Sequence, residues 1–126
     1  MPETPRITES EWQVMNVVWE SPPVTAQEVT DALVGQHDWS ARTVKTFLAR
    51  LVKKGVLEFE VDGKRYLYSP LVTREQSLAV EGKSMLGRLR GAPVSPLMAW
   101  FVRHSPMDKD EIEQLKQLLD KKEAEL

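Results

Sequence analysis

The chain has 126 residues and a formal net charge of −2, with 41% of its residues apolar and 29% charged. These values are typical of a folded globular protein and argue against a disordered chain. The length suits a single domain, or one compact domain with a helical appendage. Because the sequence has no cysteine, disulfides and zinc–thiolate sites are excluded.

The sequence carries no recognisable targeting or membrane signal. Residues 1–5 lack the basic and apolar regions of a signal peptide. The longest purely apolar run, residues 97–102, is far shorter than the roughly 20 residues that span a bilayer. We therefore expect a cytoplasmic protein with no membrane partner, and the absence of cysteine fits a reducing compartment.

The first three helices are predicted to begin at recognisable N-cap residues. Thr8 with Glu11 and Thr25 with Glu28 each match a capping box, and Ser40 precedes a third helical pattern. Apolar residues recur at helical spacing after each of these caps. The second and third helices would then form a helix-turn-helix.

The third predicted helix has one apolar face and one cationic face. From residue 40 to residue 54 it contains five basic residues and no acidic residue, although the whole chain is acidic. Four apolar residues at helical spacing are predicted to face inward: Val44, Phe47, Leu48 and Leu51. The opposite face carries the residues predicted to bind DNA from this helix: Arg42, Thr43, Lys45, Thr46, Arg50 and Lys53.

These residue types suit the major groove of DNA. Arginine can bind guanine, and the threonine methyl group can contact thymine. Lys53 and Lys54 lie at the C-terminal end of the helix, where they are better placed for phosphates, although they would also stabilise the helix dipole. Charge alone does not separate a DNA-binding face from an ordinary solvated surface, but the neighbouring pattern of helices and strands favours DNA.

A two-stranded ribbon is predicted after the third helix. Apolar and acidic residues alternate over residues 57–61, and Asp62-Gly63 predicts a two-residue hairpin turn. Counting outward from that turn pairs Glu60 with Arg65. Lys64 and Arg65 would contact the DNA backbone or minor groove as part of a wing. The alternative for Arg65 is edge protection together with its pair to Glu60.

Three further helices are predicted beyond residue 72. Thr73 with Gln76 matches a capping box, Ser95 begins the next helix, and Asp108 with Glu111 opens the last. Ser95 is the expected N-cap of the middle one, with Pro96 at its first helical position. Three short helices in about 55 residues would struggle to form an independent core, so we expect them to pack against a second copy. The residues predicted to form this dimer interface are Leu86, Leu89, Leu97, Phe101, Ile112, Leu115 and Leu119.

The predicted fold is mainly α with a small β-ribbon. Three helices followed by two strands is the order of a winged helix-turn-helix. We predict a winged-helix DNA-binding domain over residues 1–71 and a three-helix dimerisation region over residues 72–126.

Neither catalysis nor a metal or other cofactor is expected. His37 and His104 are the only histidines, and they fall in separate segments at no recognisable ligand spacing. The sequence has no glycine-rich phosphate loop, nucleophile elbow or acid–base pair. We therefore do not predict an enzyme.

Three sequence blocks carry a resemblance to a known family. They are residues 7–15 with Trp19, the block Trp39-Ser40-x-x-Thr43-Val44-x-Thr46-x-Leu48-x-Arg50-Leu51-x-Lys53-Lys54-Gly55, and the wing ending Tyr66-x-Tyr68-x-Pro70. With these blocks the chain resembles the penicillinase-repressor family, the BlaI/MecI/CopY group of bacterial repressors, over nearly its whole length.

The resemblance implies a homodimer that represses transcription by binding dyad operators, which in this family often carry TACA and TGTA half-sites. It implies that the N-terminal winged helix binds DNA and that the C-terminal helices dimerise. Thr43, Thr46 and Arg50 match the family's recognition-helix positions.

The resemblance also suggests how repression is relieved. In the antibiotic-sensing branch, a membrane sensor protease triggers cutting between Asn and Phe in the penultimate helix. The corresponding bond here joins Trp100 to Phe101, so the Phe is retained and Trp stands in place of Asn. A sensor-linked protease is therefore a candidate partner. The copper-sensing branch uses a C-terminal cysteine motif, which this chain lacks.

These observations predict a dimeric repressor that binds a double-stranded DNA operator and is released by a signal acting on its C-terminal helices. The alternative is a protein-interaction module on a winged-helix scaffold, whose basic face would bind an acidic protein.

Overall fold

A computed structural model describes residues 3–126 of the chain. Over these residues the chain forms six helices and a two-stranded ribbon. In chain order they are α1 Glu9–Glu20, α2 Ala26–Leu33, α3 Ala41–Lys54, β1 Leu57–Asp62, β2 Arg65–Pro70, α4 Arg74–Arg88, α5 Ser95–His104 and α6 Lys109–Ala124. This confirms the predicted class of a mainly α protein with a small β-ribbon after its third helix.

The chain divides into two compact units. The first ends at Arg88 and includes α4, and the second is Leu89–Leu126 with α5 and α6. Within residues 3–126, no helix is long and apolar enough to cross a membrane.

The predicted N-caps of α1, α2 and α3 are confirmed. The backbone N–H of Glu11 donates to the Thr8 hydroxyl at 3.3 Å, and the N–H of Thr8 donates to the Glu11 carboxylate at 2.9 Å. Thr25 and Glu28 make the same reciprocal pair at 3.1 and 3.0 Å. Ser40 accepts from the third residue of α3 at 3.2 Å. Each helix start therefore follows from its local sequence.

The predicted cap of α5 is displaced by one residue. Val94 is the N-cap and makes no side-chain cap hydrogen bond, so Ser95 is already helical. The backbone of Val94 has right-handed helical angles, and its carbonyl accepts from the N–H of Met98 at 3.0 Å. The helix thus begins one residue earlier than the serine–proline pair suggested.

The apolar face of α3 forms the centre of the core. Val44, Leu48 and Leu51 are fully buried, whereas Phe47 is only half-buried. Residues of α1, α2 and the ribbon complete this core: Val14, Met15, Val18, Val29, Leu33, Val56, Leu57 and Tyr68. The buried stripe turns the opposite, polar face of α3 outward.

The base of the ribbon is joined to the segment before α2. The N–H of Val24 donates to the carbonyl of Tyr68 at 3.0 Å, and the N–H of Tyr68 donates back at 2.7 Å. The N–H of Leu71 also donates to the carbonyl of Val56 at 2.8 Å. The Val24–Tyr68 bonds attach the base of the ribbon to the segment before α2, and the Leu71–Val56 bond closes the two strands at that base.

The predicted register of the ribbon is wrong, because the two-residue turn lies one residue further along the chain than expected. The loop residues are Gly63 and Lys64, and Asp62 pairs with Arg65, so Glu60 lies opposite Leu67. Gly63 has a φ of 66°, and no non-glycine residue in the described chain has a positive φ. A turn with a positive φ only at its first central residue favours glycine there, which moves Asp62 into the strand. Because the pairing shifts by two residues, each side chain keeps its predicted face.

Helix α4 is anchored to α1 at its N-terminal end. Its start is capped by reciprocal bonds between Thr73 and Gln76 at 2.8 and 3.0 Å, as the sequence predicts. The indole N–H of Trp19 donates to the carbonyl of Val72 at 3.0 Å, and the Arg74 guanidinium lies 5.4 Å from the Trp19 ring centroid.

The second unit has helices but no buried side chain. Neither α5 nor α6 contains a buried residue, although both carry apolar side chains. The predicted cap of α6 is confirmed, because Asp108 accepts from the N–H of Glu111 at 2.8 Å. The exposed apolar residues of this unit are Val94, Met98, Trp100, Phe101, Val102, Ile112, Leu115, Leu118, Leu119 and Leu126.

Candidate nucleic-acid interface

The polar face of α3 is available to solvent. Arg42, Lys45, Thr46, Arg50 and Lys53 are exposed, and Thr43 is half-buried. Within residues 3–126, no carboxylate forms an ion pair with any of the four basic residues among them. The six predicted side chains of α3 therefore form one cationic surface, which we call the α3 face.

Local hydrogen bonds order the two threonines of the α3 face. The Thr46 hydroxyl donates to the carbonyl of Arg42 at 3.1 Å. The Thr43 hydroxyl lies 3.2 Å from that of Ser40, which also caps the helix. These contacts hold the hydroxyl groups at the helix surface, and each threonine keeps a methyl group of the kind that contacts thymine.

Arg50 is supported by an aromatic cluster. Its guanidinium lies 5.8 Å from the ring centroid of Phe47. Phe47 meets Trp39 edge-on at 4.9 Å, and Trp39 stacks on His37 at 4.1 Å. A guanidinium held by a cation–π contact keeps all its N–H donors available for a base or a phosphate.

The two predicted wing residues differ in their surroundings. Lys64 is exposed in the hairpin loop and makes no ion pair within the described chain. Arg65 donates through Nε and Nη2 to one carboxylate oxygen of Asp62, at 3.1 and 3.0 Å. The expected partner Glu60 is therefore wrong, and the register shift explains the change. In this arrangement the Arg65 guanidinium is shared with Asp62.

A groove of about 600 Å³ lies between α3, the start of α2 and the ribbon. Lys45 from α3 and Lys64 with Arg65 from the ribbon all line it. No acidic residue lines this groove, which makes it suited to an anion such as a phosphodiester. Sequence reasoning missed two of its lining residues, Gln27 and Tyr66. The motif containing Tyr66 was visible, but no charge or spacing gave either residue a role.

Lys54 points away from the α3 face. Its ammonium pairs with the carboxylate of Glu11 and donates to the carbonyl of Arg6 at 3.2 Å. These contacts argue against the expectation that Lys54 serves phosphates beside Lys53. The two neighbouring lysines have separate surroundings because only Lys53 lies on the exposed side of the helix end.

The Glu11 carboxylate is almost completely buried, with 1% of its side chain exposed. Burial raises the pKa of Glu11, but hydrogen bonds from Lys54 and Thr8, together with the charge of Lys54, lower that pKa by more than burial raises it. The net pKa is therefore below the ordinary glutamate value.

This pKa shift predicts an acid-sensitive contribution to stability. A carboxyl whose pKa is lowered by folding stabilises the folded state above its unfolded pKa of about 4.3, and that stability is lost as the pH falls through the folded value. We expect Glu11→Gln to flatten the acid side of the stability curve below about pH 4.3. Urea unfolding of both proteins between pH 7 and pH 3 tests this. Parallel curves for the two proteins would contradict it.

The C-terminal residues predicted to dimerise are mostly uncovered. Leu86 is exposed on α4, and Leu89 and Leu97 of the second unit are half-buried. The other predicted interface residues are exposed: Phe101, Ile112, Leu115 and Leu119. The Trp100–Phe101 bond lies inside α5, where the carbonyl of Trp100 is also 2.8 Å from Nδ1 of His104.

A three-helix core, a hairpin wing and an exposed cationic third helix together define a winged-helix protein of the DNA-binding class. The family model described as Penicillinase repressor matches residues 7–121. The chain belongs to the penicillinase-repressor family, which is a family of transcriptional repressors and not of enzymes.

Several relatives match over nearly the full chain. The methicillin resistance regulatory protein MecI of Mammaliicoccus sciuri is 31% identical over 95% of this chain and 98% of its own length. The penicillinase repressor of Bacillus licheniformis is 29% identical over 95% of this chain and 94% of its own. An uncharacterised 16.5 kDa protein of Latilactobacillus sakei is 35% identical over 96% of this chain and 83% of its own length.

Two solved structures resemble the N-terminal part of the chain. The DNA-binding domain of the repressor BlaI aligns with a TM-score of 0.54 and 33% identity, over 60% of this chain and 93% of that domain. The monomeric form of Bacillus licheniformis BlaI in complex with the blaP half-operator aligns with a TM-score of 0.52 at the same identity and coverage. The predicted family is thus confirmed.

Proposed function

We propose that this chain is a homodimeric repressor of transcription that binds a dyad operator, with α3 of each protomer in a major groove. The observation that carries this proposal is the α3 face, where four basic side chains have no acidic partner within residues 3–126. A local cationic surface on an acidic protein gives a positive field that suits phosphate. Here it is left free for the charge of DNA.

The residues of the α3 face have different roles in this proposal. Thr43, Thr46 and Arg50 read base edges, because they carry the methyl groups and the forked donor that distinguish thymine and guanine. Lys53, at the helix end, binds a phosphate. Arg42 and Lys45 flank them and contribute to the positive field.

The wing contributes backbone contacts. Lys64 and Lys45 line the same groove from opposite sides, so one phosphodiester strand entering it would meet both ammonium groups. Arg65 joins them while it keeps Asp62 as a partner. The structure of BlaI with a half-operator supports one protomer per half-site for that protein, and we extend this arrangement to the present chain.

In this proposal the C-terminal helices bind those of a second copy of the chain. We assign DNA binding to residues 1–71 and dimerisation to residues 72–126, because α5 and α6 present apolar side chains and bury none of them. Two paired α3 helices would read half-sites about 10 bp apart, or a multiple of that distance. Binding of the first half-site raises the effective concentration for the second.

Footprinting of the purified protein on the DNA upstream of its own coding region tests the repressor assignment. We expect protection of two symmetric half-sites. If the protein binds no duplex at low salt but binds an acidic protein, the interaction-module alternative replaces the repressor.

Release of repression follows from the same proposal, since any signal that separates the C-terminal helices removes the dimer advantage. Cleavage of the Trp100–Phe101 bond by a sensor-linked protease would do so, after local unwinding of α5. Mass spectrometry of the protein from induced cells tests this route. A fragment ending at Trp100 supports it, and an intact chain under full induction rules it out in favour of a ligand or a partner protein.

Replacing Arg50 and replacing Lys53 are expected to change DNA binding in different ways. Arg50→Ala should cost about 1–3 kcal/mol of operator binding and relax the base preference at one position, because a base contact is lost. Lys53→Ala should weaken binding to all duplexes and reduce the salt slope by about 0.9. Titration of operator variants at several salt concentrations measures both effects. Identical behaviour of the two variants would contradict this division of roles.

A further inference from the structure

Two consecutive lysines end α3, and their contacts differ completely. Lys53 is exposed and has no ion-pair partner within the described residues. Lys54 is 31% exposed, pairs with the carboxylate of Glu11 and donates to the backbone carbonyl of Arg6. Lys54 is therefore held against α1, whereas Lys53 lies on the exposed side of the helix end.

Glu11 holds Lys54 in this position. The carboxylate is buried and also accepts from the backbone N–H of Thr8, so it cannot turn out to solvent without breaking the cap of α1. A buried carboxylate that loses its cationic partner is strongly destabilised. The buried Glu11 carboxylate in the cap of α1 thus holds the Lys54 ammonium in place.

The contact joins two helix ends of opposite polarity. Glu11 lies in the first turn of α1, where the helix dipole is positive, and Lys54 is the last residue of α3, where the dipole is negative. Each charge is therefore favourable on its own helix, and the ion pair between them connects α1 to α3.

Lys54 is the polar anchor of the recognition helix. Over residues 3–126, the other side-chain hydrogen bonds of α3 stay within the helix and its cap, and Lys54 alone bonds to another helix. The apolar stripe resists separation of the helices, but hydrophobic burial is not directional and therefore fixes the tilt of α3 less strictly than a hydrogen-bonded ion pair does. A helix of 14 residues is about 21 Å long, so a tilt of about 5° at one end moves the other by nearly 2 Å.

We propose that Lys54 is a positioning residue for operator recognition, which fixes the C-terminal end of α3 to α1 through Glu11 and does not itself contact DNA. This inference rests on the proposed function, because the position of α3 matters for recognition only if α3 reads DNA. A base contact tolerates displacement of only a few tenths of an ångström, whereas a phosphate contact by a flexible side chain tolerates more.

The test compares Lys54→Met with Lys53→Met, two changes that remove the same charge from adjacent residues. For each protein, the dissociation constant is measured for the footprinted operator and for a scrambled duplex, at several salt concentrations and at a temperature where circular dichroism shows both variants folded. For Lys54→Met we expect operator affinity to fall about 10-fold or more, with scrambled-duplex affinity and the salt slope near those of the wild type. For Lys53→Met both affinities should fall together and the slope should decrease by about 0.9.

Two results would overturn the positioning role. If Lys54→Met lowers the salt slope as Lys53→Met does, Lys54 is a phosphate contact. If it lowers the melting temperature but leaves both dissociation constants unchanged, the ion pair serves stability alone. In both cases the wild-type protein still binds its operator, so the proposed function stands. If the wild type binds no duplex, the proposed function fails and this inference fails with it.

A second variant covers the case in which Lys54→Met does not fold. The double change Glu11→Gln with Lys54→Met keeps an amide oxygen for the Thr8 cap and leaves no uncompensated charge. We expect this protein to fold and still to lose operator preference over the scrambled duplex. Wild-type preference in the double variant would overturn the inference.

Discussion

Replacing both Leu115 and Leu119 with aspartate is expected to split the proposed dimer and to weaken binding to a full dyad operator by about 10²- to 10⁴-fold. Both leucines are exposed on α6 in the single chain, at 41% and 67%. Carboxylates at these positions would have to be buried in any interface that the leucines form. The monomers would then bind each half-site independently and lose the raised effective concentration.

The measurement has two parts. Sedimentation reports the oligomeric state, and titration with full and half operators reports affinity, which should change only for the full operator. A matched control is Gln117→Asp with Lys121→Gln, which makes the charge more negative by the same two units on the opposite side of α6. The control should remain dimeric. A Leu115→Asp, Leu119→Asp protein that stays dimeric would contradict the assignment of the interface to α6.

Leu48→Ala is expected to lower the free energy of unfolding by about 2–5 kcal/mol. Leu48 is completely buried at the centre of α3, in the core that α3 shares with residues of α1 and α2. Its replacement removes apolar contacts and leaves a cavity that the surrounding helices can fill only in part. Since a small domain is stable by about 5–15 kcal/mol, this one change removes a large share of the total.

Urea unfolding at neutral pH measures the loss, and Lys45→Ala is the control on the same helix. Lys45 is exposed, so its replacement should change stability by no more than about 0.5 kcal/mol while it weakens DNA binding. The two variants thus separate stability from recognition within α3. Equal stability of the Leu48→Ala and wild-type proteins would show that the core is not centred where the structure has it.

Features encoded within a few residues of one another were predictable from the sequence. The caps at Thr8, Thr25 and Asp108 each depend on a partner three residues away, and all three formed as expected. The inward and outward faces of α3 followed from its helical period. The predicted cap at Ser95 was wrong because the backbone of its neighbour Val94 has helical angles, which the local sequence pattern does not determine.

Features that depend on distant residues were not predictable. Lys54 and Glu11 are 43 positions apart, and no spacing rule relates the end of one helix to the start of another. The ribbon register failed for a different reason, because Asp62-Gly63 and Gly63-Lys64 are both acceptable turns. Only the backbone conformation of Gly63 distinguishes them.

The paired hydrogen bonds between Val24 and Tyr68 have a consequence for how a duplex would be accommodated. They join the base of the ribbon to the segment that leads into α2 and so restrain swinging of the wing relative to the helix-turn-helix. The spacing between the wing tip and α3 is then set before DNA arrives. Any mismatch in groove width must be absorbed by bending or compressing the duplex, whose cost depends on its base steps. Base pairs that the protein never touches would thereby be selected for their deformability.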